Sequence, residues 1–155
     1  MVKKFAGAVA AAAMSVLPAA AQNTDAAPNY GSIELRAGFD NDPRVMTLRA
    51  GGSIEAQSLG GSCSGFITDA PDVRLSYTAG DLPLIISVAA GSDTTLVING
   101  PDGRWHCDDD NGVNGLNPAV RFNAPQSGRY EIWVGTYAAG ATQPARLHIS
   151  EVSSQ

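Results

Sequence analysis

An all-β fold, a single jelly-roll-like antiparallel β-sandwich behind a cleaved export signal, is what this sequence predicts. Three observations carry the prediction. Beyond the N-terminal run, no segment places apolar residues at helical spacing. Short stretches with alternating apolar and polar residues recur instead, the pattern of strands with one buried face. Turn signals separate them, Gly51-Gly52, Gly60-Gly61, Ala79-Gly80-Asp81, Pro101-Asp102-Gly103 and Gln126-Ser127-Gly128, at the spacing expected of a sandwich or barrel.

Along the chain, Lys3 and Lys4 open a positive start, Phe5 to Leu17 form an apolar alanine-rich run, Pro18 breaks it, and Ala19-Ala20-Ala21 supplies small residues for cleavage before Gln22. That is the three-part secretory pattern, and the run is short for a membrane span. Residues 1–21 therefore read as a signal peptide, 22–29 as a polar, flexible leader, and 30–155 as one sandwich domain. The expected strands are Gly31–Arg36, Val45–Arg49, Gly52–Ser58, Val73–Tyr77, Leu82–Ala89, Thr94–Asn99, Arg104–Cys107, Ala119–Phe122, Arg129–Thr136 and Ala145–Glu151. Alternation is plainest in two of them. Tyr130, Ile132 and Val134 share one face, with Glu131 and Trp133 on the other. Leu84, Ile86 and Val88 share one face, with Ile85 and Ser87 opposite. Pro83 falls near its strand's start, where a missing N–H is tolerated.

Composition narrows the function. Both lysines leave with the signal, so the formal charge falls from −5 to −7 and every remaining strong base is arginine, against fifteen acids, most of them aspartate. Such a chain is a poor partner for nucleic acid or anionic membrane surfaces. No second long apolar run follows, so the mature form is expected to have no membrane span and to be secreted or periplasmic. In that oxidising setting the only cysteines, Cys63 and Cys107, are expected to pair, closing a loop worth about 4 kcal/mol on the chain-entropy model.

The most informative stretch is Ser92 to Gly135. It contains Asp93-Thr94-Thr95-Leu96, then Pro101-Asp102-Gly103, Cys107-Asp108-Asp109-Asp110, Gly115-Leu116-Asn117 and finally Ser127 to Gly135. In order and spacing it resembles the bacterial pre-peptidase C-terminal domain, across roughly the C-terminal half of the mature chain. The segment Tyr30 to Gly65 fits that pattern less closely and would supply the first strands. The resemblance implies a jelly-roll-like sandwich of the kind appended to secreted proteases and other exported enzymes. It implies a non-catalytic module, and relatives that bind calcium or extracellular polymers such as collagen.

Read as chemistry, the acidic loop leaves two possibilities open. Asp108, Asp109, Asp110 and Asn111 are consecutive oxygen donors, Asn117 follows on a glycine-bearing loop, and Asp93 comes close if its strand is a neighbour. Calcium takes six to eight oxygens in irregular geometry, so this set is the candidate metal site. It is not an EF-hand, because the alternate-position spacing and closing glutamate are absent. The other possibility is a solvated turn whose Asp and Asn side chains cap backbone N–H groups.

No catalytic residues are assigned. The mature chain has only His106 and His148 as histidine bases, both within expected strands. Gly61-Ser62-Cys63-Ser64-Gly65 only imitates a nucleophile elbow, without its strand-to-helix setting. Trp133, Tyr137 and Trp105 are the candidate ligand-binding residues, since an aromatic on an open sheet face can stack on a sugar or peptide. The alternative is that a second sheet or loop covers Trp133. The sequence thus points to an exported non-catalytic binding or accessory module, with calcium as the one candidate cofactor and an extracellular polymer or secreted protein as partner. A self-associating surface or matrix protein and a small secreted hydrolase are the alternatives.

Overall fold

A computed structural model describes residues 22–155; the signal assigned to 1–21 lies outside the described residues. The strands are β1 Ser32–Arg36, β2 Arg44–Ala50, β3 Ile54–Glu55, β4 Phe66–Ile67, β5 Val73–Thr78, β6 Leu84–Ala90, β7 Thr94–Asn99, β8 Trp105–Asp108, β9 Ala119–Phe122, β10 Gly128–Thr136 and β11 Gln143–Ser150, with a 3₁₀ turn over Ala56–Leu59. They form a sandwich of two sheets. In the larger sheet β10 is the hub, flanked by β5 and then β1 on one side and by β7 and then β8 on the other. Past the end of β5, the same edge of β10 takes up β4, which pairs with β3. The smaller sheet runs β2-β11-β6-β9, antiparallel throughout.

Alternation builds the core as expected. Tyr130, Ile132 and Val134 from β10 meet Leu84, Ile86 and Val88 from β6, joined by Val73, Leu75, Leu96, Ile98, Leu147 and Ile149, all buried in one cluster. Burying each such side chain stabilises by about 1.5–3 kcal/mol before entropy is subtracted, so this layer dominates the fold.

Three expectations change. First, the sandwich is not purely antiparallel: β1 runs parallel to β5. The chain crosses to the smaller sheet for β2 and returns before β5, so the two edge partners point the same way. Second, the strand expected over Gly52–Ser58 shrinks to β3 and gives way to the 3₁₀ turn, because Ala56 turns inward into a second, smaller cluster. Third, residues 22–29 are not a loose leader. Asn23 N–H donates to Asp69 O, Asn29 N–H to Pro71 O, and Arg74 Nη2 donates to the carbonyls of Thr24 and Ala26. Gln22 is buried, its Nε2 donating to Thr68 O. The segment is a strap laid along the outside of the larger sheet, with its backbone polar groups supplied with partners.

Candidate functional site

The outer face of the larger sheet carries the second cluster. Trp133 on β10 and Val97 on β7 stand opposite one another, and a flap formed by β3, the 3₁₀ turn, the glycine turn and β4 roofs them with Ala56, Cys63 and Ile67. Gly60 and Gly61 shape its tip with φ of 85° and 62°, a region few other residues enter at low cost. Where the flap's return strand meets β10, Gly135 is required by space: a Cβ there would lie 2.8 Å from Phe66 O and 2.4 Å from Thr95 Oγ1. The expected disulfide, Cys63–Cys107, ties the flap to β8.

The three aromatic candidates therefore separate. Trp133 is fully buried (0% exposed) and cannot present a surface ring; the flap covers it, as the alternative in the sequence allowed. Trp105 is half-buried and rests on Trp133, ring centres 5.5 Å apart and planes inclined at 51°. Tyr137 is 55% exposed but stands at the other end of the sheet. Trp105 pairs with Asn99 at one end of β7, and Tyr137 follows Thr136, which pairs with Thr94 at the other, a separation of about 17 Å along the strand at roughly 3.4 Å per residue. What Trp105 does line is a cleft of about 300 Å³ between the flap tip and β8, together with Gly60, Gly61, Ser62, His106 and the disulfide.

Three of the six expected metal donors have other partners. Asp108 is a loop anchor: its carboxylate accepts from the Asn111 and Ala119 N–H groups, at 2.9 Å each, and from Asn111 Nδ2. Asn117 is a buried tether, accepting from Thr94 Oγ1 at 2.9 Å and donating to Ala90 O at 3.1 Å. Asp109 accepts a 3.3 Å bond from Ser64 Oγ on the flap. Among the described residues, no three His, Cys, Asp or Glu side chains converge closely enough to hold a metal ion. Asp93 retains an oxygen, Oδ1, without a partner. Burial, with the charges of Asp110 and Asp109, holds its proton above the usual carboxylate range. Asp108 thus takes the capping role, while Asp93, Asp109 and Asp110 stay close enough for their charges to be felt together.

Neither histidine is set up as a base. His106 lies edge-on against Phe122 with ring centres 4.9 Å apart. His148 is 6% exposed and has no partner for either ring nitrogen; burial, with the charge of Arg146, pushes its pKa below the usual imidazole value. Among the described residues neither donates to or accepts from a serine hydroxyl or a carboxylate, the contact a nucleophile-activating base requires.

Two polar features escaped the sequence reading. Glu131, 1% exposed, receives Arg74 Nε at 2.5 Å and Arg129 Nε at 2.9 Å on the same oxygen, while Arg129 also reaches Asp25 of the strap at 3.0 Å. Asp72, 2% exposed, fills the gap between β5 and β4 on the edge of β10. Its N–H donates to Ile132 O, and its carboxylate accepts from Val134 N–H at 2.8 Å and Asn29 Nδ2 at 3.1 Å. Burial outweighs those bonds and raises its pKa to about 6. Neither feature has a sequence signature, because each depends on which strands become neighbours.

No family model matches the chain, and neither does any curated protein. The resemblance of Ser92 to Gly135 to the pre-peptidase C-terminal domain thus remains one of motif order. Among solved structures, the crystal structure of Aeromonas hydrophila PliG, described as a periplasmic lysozyme inhibitor of g-type lysozyme, matches at 15% identity and a TM-score of 0.40, covering 77% of this chain and 96% of that one. A likeness of that degree leaves ligand and partner to this chain's own residues.

Proposed function

We propose that this chain is an exported, non-catalytic binding module that grips an extracellular polysaccharide in the cleft beside Trp105. The observation that carries the reading is the support behind that ring. Trp105 is half-exposed, backed by the buried Trp133, and beside a disulfide-fastened flap, so its orientation is set before any ligand arrives. Preorganised aromatic surface loses little entropy on binding. The cleft adds bare glycine backbone, the Ser62 hydroxyl and the His106 imidazole, a mix of apolar plate and hydrogen-bonding groups that suits a sugar ring. The chain's acidity favours a neutral polymer over an anionic one. Export to the periplasm or beyond is part of the same proposal; among the described residues, no helix is long and apolar enough to cross a membrane.

The test is a tryptophan-fluorescence titration of the mature, disulfide-intact protein with soluble neutral polysaccharides, alongside one acidic polymer and collagen. Saturable quenching by a neutral glycan, lost in Trp105→Ala while the unfolding midpoint stays within a few degrees, supports the reading. Binding that Trp105→Ala leaves unchanged, or a response to collagen alone, overturns it.

A further inference from the structure

The flap over Trp133 is fastened differently from the rest of the molecule. The backbone bonds of residues 56–65 close within the flap itself: Ala56 N–H to Gly65 O, Gly60 N–H to Gln57 O, and Cys63 N–H to Gly60 O. Its base is held by the two-residue ladder of β3 with β4 and by one pair between β4 and β10. Its far end meets the sandwich through two hydroxyl bonds, Ser62 Oγ to Cys107 O at 3.1 Å and Ser64 Oγ to Asp109 at 3.3 Å, and through the Cys63–Cys107 bond. Bonds of that kind at a half-wet surface are each worth little. The main core draws on no flap residue: the two buried clusters share no members and lie on opposite faces of the larger sheet.

We propose that the Cys63–Cys107 disulfide is the latch of a redox-gated cover, whose reduction frees the flap and uncovers the Trp133–Trp105 pair while the sandwich stays folded. The latch is within reach of a reagent, because both half-cystines line the cleft at the flap tip and Cys107 is only half-buried. The chemistry is thiol–disulfide exchange with a dithiol reductant. One thiolate attacks Sγ of Cys107, the S–S bond breaks, and Cys63 leaves as a thiolate that takes up a proton. The reductant's second thiol then resolves the mixed disulfide, so two electrons and two protons pass to the protein and the reductant ends as its own disulfide. The reduced flap keeps its ladder at the base, so its tip lifts without unfolding the sheets. This device is independent of what the cleft binds.

The chain's only two tryptophans are the pair beneath and beside the flap, so their emission reports the cover directly. The experiment treats the mature protein with dithiothreitol, verifies two free thiols by titration, and records tryptophan emission, acrylamide quenching and far-ultraviolet circular dichroism. The expected result is a red-shifted emission and a several-fold rise in quenching, with the sheet signal kept and both optical changes reversed on reoxidation. A Cys63→Ser/Cys107→Ser double variant should show the same emission without reductant, and Trp105→Phe isolates the response of Trp133. Emission unchanged with both thiols free overturns the proposal, and so does loss of the sheet signal together with the shift.

Discussion

Replacing Asp72 by Asn should make the protein more stable at neutral pH and not at acid pH. The carboxyl is buried at the break between β5 and β4, and its pKa stands at about 6 in place of 3.8. The folded state therefore binds this proton more tightly than the unfolded chain does. Below about pH 4 both states hold the proton and the side chain costs nothing. As the pH rises from about 4 to 6 the unfolded chain gives it up first, stability falls, and above about 6 the full cost is present. A rise of that size, at about 1.4 kcal/mol for each pH unit, puts the cost at about 3 kcal/mol. Asn keeps an oxygen for the Val134 N–H, but its amide now faces the Asn29 amide, which must turn over to restore that bond, a loss of about 1 kcal/mol. The net expectation is a gain of about 2 kcal/mol at about pH 7 and a loss of up to about 1 kcal/mol near pH 4. Urea unfolding of both proteins across that range, disulfide intact, measures it. Taking the difference between them cancels His148, whose depressed pKa removes stability as the pH falls. A difference that stays flat from acid to neutral pH would refute the reasoning, because the two hydrogen bonds would then outweigh burial.

Trp133→Ala should cost about 3–5 kcal/mol in urea unfolding, the range for emptying a buried aromatic site, whereas Trp105→Ala, lacking only a half-buried ring, should cost well under half of that. Glu131→Ala should destabilise by about 2 kcal/mol, since it leaves the largely buried Arg74 without its partner while the half-exposed Arg129 turns to water. A cost below about 1 kcal/mol would mean that water already screens the cluster. Calcium and a chelator should leave the thermal midpoint within a degree or two of each other. A calcium gain of several degrees that Asp109→Ala abolishes would restore the acidic loop as a metal site.

What the sequence revealed follows the range of the interactions involved. The strands β6 and β10 were legible because alternation is local: Leu84, Ile86 and Val88, and Tyr130, Ile132 and Val134, need only the period of two to be assigned to one face, and all six are core. The cysteine pair was legible because the chain has two cysteines and its first residues read as an export signal. Trp133 was harder. Alternation places it opposite the core without saying whether anything covers that side. A hint was present in β7, where Leu96, Val97 and Ile98 are apolar in succession; a strand apolar on both faces needs two covers. The acidic loop reads two ways because one residue type serves both chemistries: Asp108 can ligate a cation or accept backbone N–H groups, and only the neighbouring position of Ala119 shows that it accepts them. The Arg74–Glu131–Arg129 cluster joins residues more than fifty positions apart, beyond the reach of any local pattern.

The central strands explain why the sandwich needs more than its two sheets. β6, β7 and β10 are buried along nearly their whole length, so their outward-facing residues must be covered by further chain. Each end of the described residues supplies such a piece. The strap beginning at Gln22 runs over Arg74 and brings Asp25 to Arg129 beside Glu131. The C-terminal tail returns over the smaller sheet, where Gln155 N–H donates to the buried Ser87 hydroxyl. Both covers are held by hydrogen bonds and charge, and each meets a polar anchor on the sheet. The face of Val97 and Trp133 offers little such anchorage: Trp133 Nε1 makes one long bond to Asp69 O at 3.4 Å, and the buried Thr95 hydroxyl finds no partner. An internal flap there has only two hydroxyl bonds and one β4–β10 pair to the surface it covers, and the covalent bond from Cys63 to Cys107 stands at its far end. The disulfide thus adds a covalent tether where the hydrogen bonds are few. That is also why breaking it should release one cover and leave the strap and the tail in place.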